Sequence, residues 1–239
     1  MIASPHNEKL KLVRKLRERK HREREGLFAT EGENLLEAGM AAGIEPHLVL
    51  SAAGSGLGGE EVEPKLLATA STLGSGTRAI AVWPLRWGPA PDASCLYLHG
   101  VADPGNVGAI VRTADALLGA PVVLGPECAD PYSPNATRAC MGSIFAQPPV
   151  RGGVDETPAP RAALLAHGGE GLDALVGAAT LCLGAEREGL PEAVVSECAV
   201  RVTIPLRHGG AESLNVAAAA AIGAQWISSA AMQEPQPDA

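Results

Sequence analysis

The chain has 239 residues, of which 46% are hydrophobic but only 3% aromatic, with a formal net charge of −8. That is enough for one large or two small domains cored by Ala, Val and Leu. The five cysteines form no CxxC pair or metal spacing, and no apolar run reaches membrane-spanning length, which excludes a zinc module and a membrane-spanning chain.

Residues 7–24 read as one helix. Leu10, Val13 and Leu16 make a narrow apolar stripe, and Gly26 ends the helix. Residues 1–26 hold nine Lys/Arg against four Glu, a local charge of +5 that leaves −13 on the remainder. A basic arm on an acidic body is an anion-binding footprint; a solvated helix with ordinary ion pairs is the plainer reading. The same stretch has no apolar core, so no secretory signal is expected, and the scattered cysteines suit a reducing compartment. The expected protein is soluble and cytoplasmic. A short strand and loop follow over 27–33, then a helix at Glu33–Ala42, a strand at Leu48–Leu50, a glycine-rich loop at 51–60, a helix at Pro64–Ala70 and a strand at Arg78–Trp83. Residues 1–85 thus form a small α/β domain, 86–93 a proline-rich linker, 94–232 a second domain and 233–239 a disordered tail.

The second domain alternates strand and helix. Strands are expected at Cys95–His99, Val122–Gly125, Leu181–Gly184 and Val200–Ile204. Helices are expected at 106–118, near 134–140, near 160–167, at 191–198 and at 213–231. Short apolar strands in such alternation predict a mainly parallel sheet covered on both faces, with ligands at the carboxyl ends of its strands. The last helix is apolar almost all round and is expected to be buried, with Glu212 or Ser213 as its cap.

Three of those strands run into glycine loops. The first carries Asp103-Pro104-Gly105-Asn106 and then Arg112, which lies six residues past Asn106, roughly 9 Å along the helix axis. Its side chain leans back toward the loop. The second is Leu183-Gly184-Ala185-Glu186-Arg187-Glu188-Gly189-Leu190. The third is Ile204-Pro205-Leu206, then Ser213-Leu214-Asn215-Val216. The spacing of Gly105 and Gly108 is not the GxGxxG of a dinucleotide site. His99, His167 and His208 have no second ligand at metal spacing, so no metal is expected.

The patterns D-P-x-N-x-G-x-x-x-R-T-A, L-G-x-E-x-x-G-L and E-S-L-N-V-A-x-A, in this order, resemble the three motifs of the SpoU (TrmH) family of the SPOUT superfamily. The N-terminal unit resembles the family's L30e-like substrate-binding domain through Ser4, Asn7, Lys11, Arg19, Arg22, Gly26, Phe28, Glu31 and Gly32. The resemblance implies an α/β protein with a SPOUT-type, mainly parallel sheet tied in a trefoil knot, and a small L30e-like α/β domain before it. It implies an S-adenosyl-L-methionine-dependent methyltransferase acting on an RNA ribose 2′-hydroxyl, with ribosomal RNA as the expected substrate. It further implies a homodimer through the knotted domain.

By the same resemblance, Leu183, Gly184, Glu186, Gly189, Ile204, Leu206, Ser213, Leu214 and Ala217 line the donor pocket. Asn106, Arg112, Glu186, Ser213 and Asn215 form the catalytic set. Lys9, Lys11, Arg14, Lys15, Arg19 and Arg22 grip RNA phosphates. Ala185 stands where many members carry Asn before the motif-two Glu. Two other readings stay open: a transfer-RNA 2′-O-methyltransferase, and a non-catalytic RNA-binding protein on the same scaffold.

Overall fold

The computed structural model describes residues 1–72 and 76–233. Where one helix was expected over 7–24, there are two, α1 (Glu8–Lys15) and α2 (Arg19–Glu25). Asn7 caps α1 by accepting from the Lys9 backbone N–H at 2.9 Å. The break lies at Leu16–Glu18, where α1 leaves backbone carbonyls without helical partners. The Arg22 guanidinium supplies those partners, donating to the Leu16 and Arg17 carbonyls at 2.7 Å each. Leu10, Val13 and Leu16 are buried, as their spacing predicts.

The chain continues through β1 (Leu27–Glu31), α3 (Glu33–Ala41), β2 (Leu48–Ala52), β3 (Glu60–Val62), α4 (Pro64–Ala70) and β4 (Ala79–Pro84). The four strands form one sheet in the order β1-β4-β2-β3. Both neighbours of β4 run antiparallel to it, and β3 lies parallel to β2. The glycine-rich segment expected to be all loop therefore ends in an edge strand, with Leu50 paired to Glu60.

Next come β5 (Cys95–Leu98), α5 (Pro104–Leu118), β6 (Val122–Leu124), α6 (Pro134–Cys140) and α7 (Ser143–Ala146). The remainder is β7 (Val150–Arg151), β8 (Arg161–Leu165), β9 (Thr180–Leu183), α8 (Glu192–Val195), β10 (Val200–Thr203) and α9 (Val216–Gln233). The chain divides into two units: residues 1–86 with 130–146, and residues 87–129 with 147–239. One break between the units lies at 86/87. The return of 130–146 to the first unit was not foreseen. It is pinned there by Arg22, which is 3% exposed and meets Asp130 Oδ2 through Nε at 3.0 Å and Nη2 at 2.5 Å. Aromatic contacts add to this: Phe28 against Tyr132 at 4.7 Å between ring centroids, and Trp83 edge-on to Phe145 at 4.9 Å. Four of the chain's seven aromatic residues are spent on this junction. The tail expected to be disordered lies, from residue 234 on, outside the described residues.

The second unit is a six-stranded sheet in the order β10-β8-β9-β5-β6-β7, and every pairing is parallel. The segment 160–167, expected to be a helix, is the strand β8 between β9 and β10. Arg161-Ala162-Ala163-Leu164-Leu165 is made of good helix formers. Burial of Ala162 and Ala163 on both faces of a parallel sheet overrides that propensity. The helix expected at 191–198 is only the single turn α8. The last helix starts at Val216 rather than 213, and it is not buried all round. Its inner side carries Val216, Ala220 and Ala224, whereas Ala218, Ile222, Gln225 and Trp226 are exposed. That inner side packs on α5, whose Val107, Ile110, Val111 and Ala114 are buried. Gly223 allows the approach to β9: a Cβ there would sit 2.5 Å from Leu181 Cδ2.

Candidate active site

The three glycine loops leave the carboxyl ends of β5, β9 and β10, all on one edge of the parallel sheet. Asp103 caps α5, accepting from the Asn106 backbone N–H at 2.8 Å, and Pro104 fits the first turn because its missing N–H would have no partner there. This fixes Asn106 in the first turn. Asn106 Nδ2 donates to Glu186 Oε1 at 2.7 Å, and Asn106 Oδ1 accepts from Asn215 Nδ2 at 3.1 Å. Asn215 Oδ1 in turn accepts from the backbone N–H of Ala217 at 2.9 Å and of Ala218 at 3.4 Å. Asn215, not Glu212 or Ser213, is therefore the side-chain cap of α9. One chain of amide and carboxylate bonds ties together residues far apart in sequence.

The second loop is a tight hairpin. Ala185 N–H donates to the Gly189 carbonyl at 3.1 Å, and Gly189 N–H to the Ala185 carbonyl at 3.0 Å. A Cβ on Gly184 would fall inside 3.0 Å of Gly189 C, Gly189 O and Leu190 N, so the hairpin closes only over a glycine.

Beside this hairpin lies a cleft of about 160 Å³. Leu183, Gly184, Glu186 and Gly189 line it from the second loop, and Ile204, Leu206, Ser213 and Leu214 from the third. Of the expected donor-pocket residues only Ala217 is absent from the lining; Val216 and Ala219 represent α9 instead. Leu164, Leu165 and Ala166 also line it, because β8 lies between the two strands that carry the loops. Sequence reading missed them by taking that segment for a helix. Arg187 and Leu190 were missed as well, although they belong to the recognised second motif.

Arg112 lies on the exposed side of α5, outside the cleft lining, with no hydrogen bond or ion pair among the described residues. Tyr97, two residues before His99 and 3.3 Å from its Nδ1, has its phenol pushed up to about 12 by burial. It stays protonated near neutrality and is no general base.

The expected RNA-gripping cations all belong to the first unit. Lys9 pairs with Glu60, Lys11 with Glu8 at 2.7 Å and Arg19 with Glu23 at 2.9 Å. Arg14 donates to the Pro5 carbonyl at 2.9 Å and Thr69 Oγ1 at 3.1 Å, and Lys15 makes no ion pair among the described residues. Arg22 is buried against Asp130 and does not reach solvent, which removes it from that set. Its charge made it look like part of the arm, but its place in the fold is structural. Exposed pairs are worth little and exchange readily for a phosphate; the Arg22 pair is neither exposed nor exchangeable. Among the described residues no group of three or more His, Cys, Asp or Glu could hold a metal ion, and no helix is long and apolar enough to cross a membrane.

A parallel sheet whose loops gather a Glu–Asn–Asn chain beside an apolar cleft fits the SPOUT-type methyltransferase fold, and similarity to known proteins agrees. Residues 93–225 match the SpoU rRNA Methylase family and residues 7–81 the MRM3-like substrate binding domain. The chain belongs to the SpoU rRNA methylase family. It is 30% identical to the 23S rRNA (guanosine(2553)-2′-O)-methyltransferase RlmP of Bacillus subtilis (strain 168), over 92% of this chain and 96% of that one. Its structure is similar to that of an AdoMet-bound rRNA methyltransferase from Sinorhizobium meliloti, with a TM-score of 0.84 and 26% identity over 94% of this chain and 95% of that one. It is also similar to an RNA 2′-O ribose methyltransferase structure, with a TM-score of 0.80 and 28% identity over 97% and 99% of the two chains.

Proposed function

We propose that this protein transfers a methyl group from S-adenosyl-L-methionine to the ribose 2′-hydroxyl of a nucleotide in ribosomal RNA. The observation that carries the reading is the bonded chain Glu186–Asn106–Asn215 beside the cleft. The cleft suits the donor chemically: Leu183, Ile204, Leu206 and Leu214 offer apolar walls for a flat base, and the Gly184 and Gly189 backbone offers close polar contacts. When bound, the donor supplies an already activated methyl group.

The chain's own residues do the rest. Asn106, Glu186 and Asn215 hold one another and present their remaining lone pairs and N–H groups to a ribose, while Ser213 offers a hydroxyl at the cleft. Arg112 carries a guanidinium with no hydrogen-bond or ion-pair partner among the described residues. Arginine does not lose its proton in proteins, so Arg112 steadies the developing oxyanion or an adjacent phosphate rather than acting as base. Lys9, Lys11, Arg14, Lys15 and Arg19 hold RNA phosphates, an electrostatic contact that weakens as salt releases the counterion advantage.

The same proposal includes the trefoil knot through the segment that carries the second and third loops, and a homodimer of the second unit. The dimer is supported by Ile222 and Trp226, 36% and 40% exposed and one turn apart on α9. Five free cysteines and a ribosomal RNA substrate suit action in the cytoplasm. The test is transfer of labelled methyl to total unmodified RNA, followed by mapping of the labelled nucleotide. Label appearing at a ribose supports the reading. Label confined to bases or to transfer RNA rejects it, and absence of donor binding by calorimetry favours a non-catalytic RNA-binding protein.

A further inference from the structure

Cys182 lies on β9, one residue before Leu183 of the cleft wall, and is fully buried. Cys198 lies in the turn between α8 and β10 and is half-buried. Their Sγ atoms are 3.7 Å apart. A disulfide holds its sulfurs at about 2.05 Å, so the pair is about 1.7 Å from bonding distance. Cys198 also donates to the Val194 carbonyl at 3.3 Å, and the remaining thiols meet oxygen atoms: Cys95 meets Thr180 Oγ1 at 3.4 Å, Cys128 the Leu98 carbonyl at 3.3 Å and Cys140 the Thr137 carbonyl at 3.2 Å.

The surroundings assign the pair different parts. The hydrogen bond with Cys182 lowers the Cys198 thiol, and the nearby Arg161 adds to this. The same bond, followed by burial, pushes the Cys182 thiol up. Cys198 is thus the more acidic of the two thiols, and it is the one with access to solvent.

We propose that Cys182 and Cys198 form a reversible disulfide on exposure to a hydroperoxide, and that this disulfide closes down the donor cleft. The Cys198 thiolate attacks a peroxide oxygen; the O–O bond breaks, and the departing oxygen takes a proton. Cys198 is then a sulfenic acid. Cys182 gives up its proton, its sulfur attacks the sulfenyl sulfur, the S–O bond breaks and water leaves. Two thiols are oxidised and one hydroperoxide is reduced. The new bond spans residues 182–198, the segment that contains the 184–190 hairpin. That hairpin has no slack, since Gly184 already packs on the backbone of Gly189 and Leu190. Drawing β9 toward Cys198 displaces the cleft wall. The effect on the cleft rests on the donor reading above; the disulfide itself does not.

The experiment treats the full chain with hydrogen peroxide, alkylates the remaining thiols and maps the peptides by mass. The expected result is a Cys182–Cys198 cross-link that dithiothreitol reverses and that Cys198→Ser abolishes. Calorimetric titration with S-adenosyl-L-methionine is expected to give roughly tenfold weaker binding after oxidation, recovered on reduction, and no response in Cys198→Ser. Cys198→Ala serves as a second variant should the serine destabilise the turn. Full alkylation of both residues after peroxide, or oxidation of Cys198 without a cross-link, overturns the proposal. A cross-link that leaves donor affinity unchanged overturns the coupling. A reduced protein that binds no donor overturns the cleft assignment, while the mass map still scores the disulfide.

Discussion

Gly184→Ala tests the cleft most directly. The added Cβ would lie inside 3.0 Å of three backbone atoms in the closing hairpin, and backbone cannot swing aside as a side chain tip can. Overpacking of this kind costs about 1–3 kcal/mol. If the strain is relieved by opening the hairpin, the displaced wall weakens donor binding by about 5- to 150-fold, at about 1.4 kcal/mol per factor of ten. Thermal stability of the unit falls by about 2–12 °C, at about 2–4 °C per kcal/mol for a unit of this size. Gly171→Ala is the control: its φ is −71°, and a Cβ there meets nothing within 4 Å. Calorimetric titration with S-adenosyl-L-methionine and thermal unfolding read both variants. If Gly184→Ala tracks Gly171→Ala in both, the closed hairpin is not what shapes the cleft and the reasoning is wrong.

Asn106→Asp replaces the N–H donor facing Glu186 with a carboxylate, so a bond of 2.7 Å becomes a like-charge contact. Methyl transfer is expected to fall by about 100-fold while the protein stays folded by circular dichroism; wild-type turnover would remove Asn106 from the site. Arg112→Lys keeps the charge but loses the planar fork, and is expected to lower turnover by about 100-fold with donor affinity held within about twofold. Near-normal turnover there would show that a point charge suffices. Arg22→Ala strips Asp130 and two helix-end carbonyls of their partner in a buried setting, at a cost of about 3–5 kcal/mol read by denaturant unfolding. A loss below about 1 kcal/mol, the range of an exposed pair, would mean that the pair is solvated in solution.

Local patterns exposed the site more readily than they exposed the sheet around it. The helix expected from residue 106 starts two residues earlier, at Pro104 behind the Asp103 cap. The three loops are short-range features, and their residues meet because β5, β9 and β10 run parallel in one sheet and end on the same side, with β8 between the last two. The position of β8 is not a short-range feature. Its Ala-Leu composition favours helix, and only its place between β9 and β10, set by residues distant in sequence, makes it a strand. The floor of the cleft was lost with it. Arg22 failed to declare itself for a related reason: a basic residue among eight others looks like surface charge until Asp130 arrives from the far side of the linker. The return of 130–146 to the first unit likewise depends on pairings such as Phe28 with Tyr132, which no periodicity encodes.

Asn215 unites the structural and chemical demands of the site. Its Oδ1 holds the first backbone N–H groups of α9, and its Nδ2 holds Asn106. An aspartate could cap the helix equally well but has no proton to donate, and a serine could donate only from the same oxygen that caps, on a shorter side chain. The amide separates the two tasks, with the oxygen turned to the helix and the nitrogen turned to the first loop. The cap fixes the orientation of the amide, and the orientation decides which atom meets Asn106. Asn106 must then offer its oxygen to Asn215, which leaves its nitrogen for Glu186. The helix end therefore sets the polarity of the whole chain of bonds, down to a carboxylate on a loop that begins at another strand.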